Sequence, residues 1–281
     1  MLHKLHLDAR MGPFKVPYAD VKLCPTPDAT ATWQPVPHAT MVETTLAAMA
    51  EAGFTVIDSA HALHGEGGTK YFGLFHVRTE EAQDDYGLVI GLTNSHDKTM
   101  AARLGIGAGM YATNTLFFSA EVRFGRKHTK EILNDLPDLV STAVSKLDVF
   151  RLRQDKRLAH YKGKKVRDKT VHDLMIRAMD KGVVPGSKLS QVLREWREPS
   201  VFGHKQGGKT VARLHGAFSM ALADCNVFTL PGRTIKLGNL LDDACGLKMA
   251  PVDADGNLVA EAPKVVAETL KVAETLKVVA A

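Results

Sequence analysis

The chain has 281 residues, 45% hydrophobic and 24% charged, with a formal net charge of +5. That balance excludes a disordered chain and is enough for one large hydrophobic core or two small ones. No run approaches the eighteen or more apolar residues of a membrane span, and the opening Met1-Leu2-His3-Lys4-Leu5-His6 lacks the apolar stretch of a secretory leader, so a soluble cytoplasmic protein without a membrane partner is expected.

Pro13, Pro17, Pro25, Pro27, Pro35 and Pro37 crowd the first 37 residues. Each removes a backbone donor and fixes φ, so residues 1–37 read as an extended arm. From His38 to Gly53 the pattern turns helical, with Met41, Leu46, Met49 and Ala50 sharing a face and Gly53 as a stop.

Strand-like segments follow at 54–60, 70–78, 86–96 and 100–112, rich in β-branched and aromatic residues. The loops between them are short and carry glycine and acidic residues, which favours an antiparallel meander of about four strands over crossover connections. Beyond His128, Ile132, Leu136, Leu139, Val140, Ala143, Val144 and Leu147 recur at helical spacing, with Asp135 placed to cap a restart at Pro137. Further helices are predicted at 170–181, 187–196, 210–224 and 234–244. The expected fold is therefore α+β, with a sheet over 54–112 and a helical part over 128–245 forming one domain, 38–250. Residues 251–281, which repeat AETLKV, read as a flexible or helical tail.

Three groups of residues could carry chemistry. Gly203, Gly208, Lys209 and Thr210 match the phosphate-binding P-loop pattern and lead into a helix, but Trp196–Phe202 before them is polar and broken by Pro199, unlike the buried strand a P-loop requires. His61, His64 and Glu66 offer nitrogen and oxygen ligands for a metal, with His76 and His96-Asp97 on the following segments, yet their spacing belongs to no recognisable metal motif. Cys24, Cys225 and Cys245 are far apart and in no CxxC pair, so they read as reduced thiols filling a core. No nucleophile with an adjacent base stands out, and no cofactor is called for.

The third group is the broadest. Between Lys146 and Lys169 lie ten lysines and arginines against three aspartates, an excess of seven positive charges that leaves the rest of the chain slightly acidic. The candidate nucleic-acid contacts are Arg123, Arg126, Lys127, His128, Lys130, Arg151, Arg153, Lys156, Arg157, Lys162, Lys164 and Lys165, with Phe117, Phe118, Phe124 and Tyr161 interleaved. Cations neutralise phosphates and aromatic faces stack on unpaired bases, so this composition suits a single-strand groove. It equally suits core phenylalanines beside a solvated helix face.

Asn94-Ser-His-Asp-Lys-Thr99, the strand ending in Ala112-Thr-Asn-Thr115, Arg126-Lys-His-Thr129, Val192-Leu-Arg-Glu-Trp196 and Thr210-Val-Ala-Arg-Leu214 together resemble a phage- and plasmid-encoded family catalogued as domain of unknown function 932, over roughly residues 38–243. Ala112 departs from it where the family often has cysteine. The resemblance implies a mobile-element origin and a host bacterial cytoplasm, and supplies no catalytic residues. The order of helix, antiparallel strands and long basic helix is similar at fold level to phage single-strand annealing proteins. The leading expectation is thus a non-enzymatic single-stranded DNA binding or annealing protein of recombination or replication, assembled as a ring or filament. The alternatives are a nucleotide- or metal-dependent enzyme built on Gly203–Thr210 or His61/His64/Glu66, and a phage structural or host-interaction protein.

Overall fold

The computed structural model describes residues 5–78, 85–111, 114–201 and 207–248, with the backbone alone for 119–123. The expected AETLKV tail lies outside these residues. The α+β expectation holds: an antiparallel sheet occupies the N-terminal half and helices the C-terminal half. No helix among the described residues is long and apolar enough to cross a membrane.

The sheet has six strands in simple sequence order, β1 (Lys15–Val16), β2 (Thr55–His64), β3 (Lys70–Arg78), β4 (Tyr86–Ser95), β5 (Ala102–Met110) and β6 (Thr115–Arg126), all neighbours antiparallel. This exceeds the predicted four at both ends. β6 was hidden because its Phe117, Phe118, Arg123 and Arg126 read as the lead-in to the basic region. β1 was hidden among prolines.

The proline-rich arm is also corrected. Residues 8–23 form two short helices, α1 (Asp8–Met11) and α2 (Tyr18–Leu23), and β1 pairs Lys15 with Ala62 and Val16 with His61. Leu5, Leu7, Met11 and Val21 are buried, and this apolar gain outweighs the restriction imposed by Pro13 and Pro17, which sit where a helix start tolerates a missing N–H. Residues 24–37 run without helix or strand.

β3 and β4 are buried almost throughout because both sheet faces are covered. On one face Tyr71, Phe75, Val77, Leu88, Ile90, Leu92, Leu104 and Ile106 form a core with Met41, Val42 and Met49 of α3 (His38–Glu51), Ile132, Leu136, Val140 and Val144 of α4 (Ile132–Val144), and Phe150 of α5 (Leu147–Gly163). The buried stripe of α3 is Met41, Val42, Thr45, Ala48 and Met49; Ala50, predicted inward, is exposed. Helix α4 runs through Pro137 without restarting, and Asp135 binds Arg126 at 2.6 Å instead of capping.

Toward the other face, the Phe118 ring lies where side chains on Gly91 and Gly107 would stand, so glycine at both is what admits it. The backbone N–H of Phe118 donates to Thr234 Oγ1 (3.1 Å). Among the described residues, four more α-helices follow in the C-terminal half: α6 (Asp168–Asp180), α7 (Leu189–Arg197), α8 (Val211–Ala221) and α9 (Leu230–Cys245). Each follows its apolar periodicity to within a few residues of the predicted span.

Candidate nucleic-acid interface

The predicted cationic set divides into three groups. The first is buried or paired. Arg157 is 3% exposed and held by Asp242, Arg153 is 9% exposed, and Arg151 is mostly covered, 3.8 Å from Asp148. Arg126 pairs with Asp135 and Lys162 with Asp85, both at 2.6 Å. His128 is buried, its ring stacked 6.1 Å from Trp33, so it is not a surface contact. The second group is exposed but dispersed: Lys127 and Lys130 follow β6, and Lys156 sits mid-α5. Arg123 lies on β6 opposite Gly105.

The third group is brought together by the fold. At the exit of α5 the chain extends, and Lys165 forms an antiparallel bridge with Thr210. The Val166 N–H donates to the Lys209 carbonyl and the Val211 N–H to that of Lys164, each at 2.9 Å. The end of the basic run is thus stitched to the Gly207-Gly208-Lys209-Thr210 segment. Lys164, Lys165, Arg167 and Lys169 are exposed, and among the described residues none forms an ion pair with a carboxylate. Lys209 joins them, its ammonium 2.8 Å from both oxygens of Asp168.

Asp168 anchors the patch. Its carboxylate also accepts from Trp196 Nε1 (3.0 Å), and hydrogen bonds from Lys209, then Trp196, hold its pKa below the usual value. Trp196 itself is fully buried, and Arg213 stacks over its ring while donating to the carbonyls of Trp196 and Arg197 at 2.7 Å, which satisfies the end of α7. Lys209 is paired with Asp168, while Lys164, Lys165, Arg167 and Lys169 are exposed on the adjoining residues, so the chain entering α6 is rich in positive charge, and the N-terminal dipole of the helix adds to it.

The P-loop reading does not survive in this setting. Gly203 lies outside the described residues. Gly208 takes a positive φ of 73°, Thr210 caps α8 by accepting from the Arg213 N–H (3.4 Å), and every strand of the sheet precedes the segment in the chain. A P-loop instead joins a buried sheet strand to its helix. Base stacking on the interleaved aromatics fails as well: Phe117, Phe118 and Tyr161 are buried and Phe124 packs against the core.

The predicted metal trio also comes apart. His61 is buried with Nδ1 2.8 Å from the Tyr71 hydroxyl, His64 is exposed with its ring edge-on to Phe14, and Glu66 lies in an exposed turn. The residues that do converge are Cys24, His38 and His96. One ligand atom of each lies within 4.8 Å of the others. The His38 and His96 rings stack at 3.8 Å, and burial holds both pKa values low, that of His38 at about 3, with the neighbouring His96 adding to it. Cys24 is therefore not a core filler, although Cys245 is.

No family model, no curated protein and no solved structure matches the chain.

Proposed function

We propose that the chain binds the phosphate backbone of nucleic acid, single-stranded DNA first of all, at the surface where residues 164–169 meet residues 207–210. The observation that carries this is the Lys165–Thr210 bridge, which brings the exposed run Lys164, Lys165, Arg167 and Lys169 alongside the segment that carries Lys209, whose ammonium pairs with Asp168. Lysines and arginines held on ordered backbone beside a helix start neutralise successive phosphates and release their counterions. Because the neighbouring aromatics are buried, affinity comes from the backbone alone and the bases stay free to pair with a second strand. Assembly into a ring or filament along the strand belongs to the same reading.

The test is fluorescence anisotropy of a labelled single-stranded oligonucleotide over a salt series. Four to five phosphate contacts give log K against log salt a slope of about −3. No binding at low salt, or a flat salt response, overturns the proposal. Electron microscopy with and without DNA examines the assembly separately.

A further inference from the structure

We propose that Cys24, His38 and His96 form a zinc site. The sulfur and one nitrogen from each ring lie within 4.8 Å of one another, although the three residues come from the C-terminal end of α2, the first residue of α3 and the turn after β4. Mixed thiolate and imidazole donors suit zinc, and three protein ligands leave a fourth position for water or a further ligand.

The surroundings match a ligand shell more closely than a packed core. His96 donates from Nε2 to the Val36 carbonyl (2.9 Å), while its Nδ1 is buried with no hydrogen-bond partner. A ring oriented by a backbone carbonyl on one nitrogen, with a lone pair free on the other, is the usual state of a metal-binding histidine. His38 Nε2 and Cys24 Sγ both face the Gly68 carbonyl, at 3.1 and 3.4 Å. The thiol has the Gly67 carbonyl at the same 3.4 Å, so the thiol and imidazole hydrogens sit among backbone oxygens, from which an ion displaces them.

Asn94 lies behind the His38 ring: Nδ2 donates to the Val36 carbonyl at 2.7 Å and to His38 Nδ1 at 2.9 Å, while its Oδ1 has no partner and is the atom that a flip of the amide turns toward an Nδ1–H once Nε2 takes an ion. Buried His128 is near enough to His38 and His96 to be felt electrostatically. Buried polar atoms are almost always bonded, and the unpartnered His96 Nδ1 belongs to a ring that has a ligand atom within 4.8 Å of the thiol and of His38, so an ion bound there supplies a partner. Access exists: Cys24, Gly67 and Gly68 line an open groove of about 380 Å³ with Asp20, Leu23 and Leu63. Gly68 has a φ of +73°, and a side chain there would stand 3.2 Å from the thiol.

The full chain, reduced and stripped with a chelator, is titrated with cobalt(II) alone and then with zinc. The expected result is one cobalt per chain, with a sulfur-to-cobalt charge-transfer band and tetrahedral d–d bands that zinc displaces. Cys24→Ser, folded by circular dichroism, loses the charge-transfer band. Wild-type protein without that band, or Cys24→Ser with the wild-type spectrum, overturns the site. Should Cys24→Ser fail to fold, thiol alkylation mapped by mass spectrometry decides: zinc protects Cys24 and leaves half-buried Cys225 reactive, and equal labelling of Cys24 with and without zinc overturns the proposal.

Discussion

Arg157 and Asp242, separated by 85 positions, form a buried ion pair in which Arg157 Nε and Nη2 reach the carboxylate at 2.9–3.1 Å. Tyr161 donates to the same carboxylate at 2.6 Å and Gln154 accepts from Arg157 at 3.0 Å, so the pair ties α5 to α9 through a satisfied polar network. Removing one partner strands a charge in the interior. Arg157→Ala is expected to lower unfolding free energy by about 3–5 kcal/mol, whereas the double variant Arg157→Met, Asp242→Leu recovers most of the loss. Urea titration of the three proteins checks this.

The Thr210 hydroxyl closes the first turn of α8 next to the bridge with Lys165. Thr210→Ala is expected to cost about 1 kcal/mol and Thr210→Ser only a fraction of that, since serine keeps the capping oxygen. Thermal melts of both variants are the measurement.

The sheet is sensitive where β5 approaches β6. A Cβ on Gly107 would lie 2.6 Å from the Phe117 carbonyl oxygen and 2.9 Å from the Phe118 ring, while one on Gly125 meets only the flexible Arg103 side chain at 3.5 Å. Gly107→Ala is expected to destabilise by about 1–3 kcal/mol, and Gly125→Ala by much less. Equal losses in the two variants would contradict this packing.

Burial depresses the pKa values of His38, His61, His76, His96 and His128, each with desolvation as the largest cause. A histidine whose folded pKa is lowered contributes full stability above its unfolded value near 6.5, and that contribution is lost as pH falls below it. In chelator, the urea midpoint is therefore expected to hold between pH 8 and pH 7 and to fall steeply from about pH 6.5 toward pH 4. A midpoint unchanged at pH 5 would contradict the neutral, buried state of these rings.

Local pattern made α3, β2 to β5 and the later helices legible, because alternation and helical spacing are properties of neighbouring residues. Long-range partners were not legible. The charge count over Lys146–Lys169 could not show that Arg157 spends its charge on Asp242, or that Lys162 and Arg126 meet Asp85 and Asp135. The Gly203–Thr210 match and the basic run were both visible, but only the Lys165–Thr210 bridge joins them. Cys24, His38 and His96 lie 14 and 58 positions apart in sequence and follow no motif spacing, so the one available signal was the histidine inside Asn94–Thr99.

The most direct test of the account compares single-stranded DNA binding by a triple and a double variant over the same salt series. Replacing Lys164, Lys165 and Lys169 with alanine is predicted to weaken binding and reduce the salt slope by about 2, while replacing Lys127 and Lys130 leaves both nearly unchanged. If the first variant binds like the wild type, or the second loses as much as the first, the surface gathered by the Lys165–Thr210 bridge is not where the nucleic acid sits.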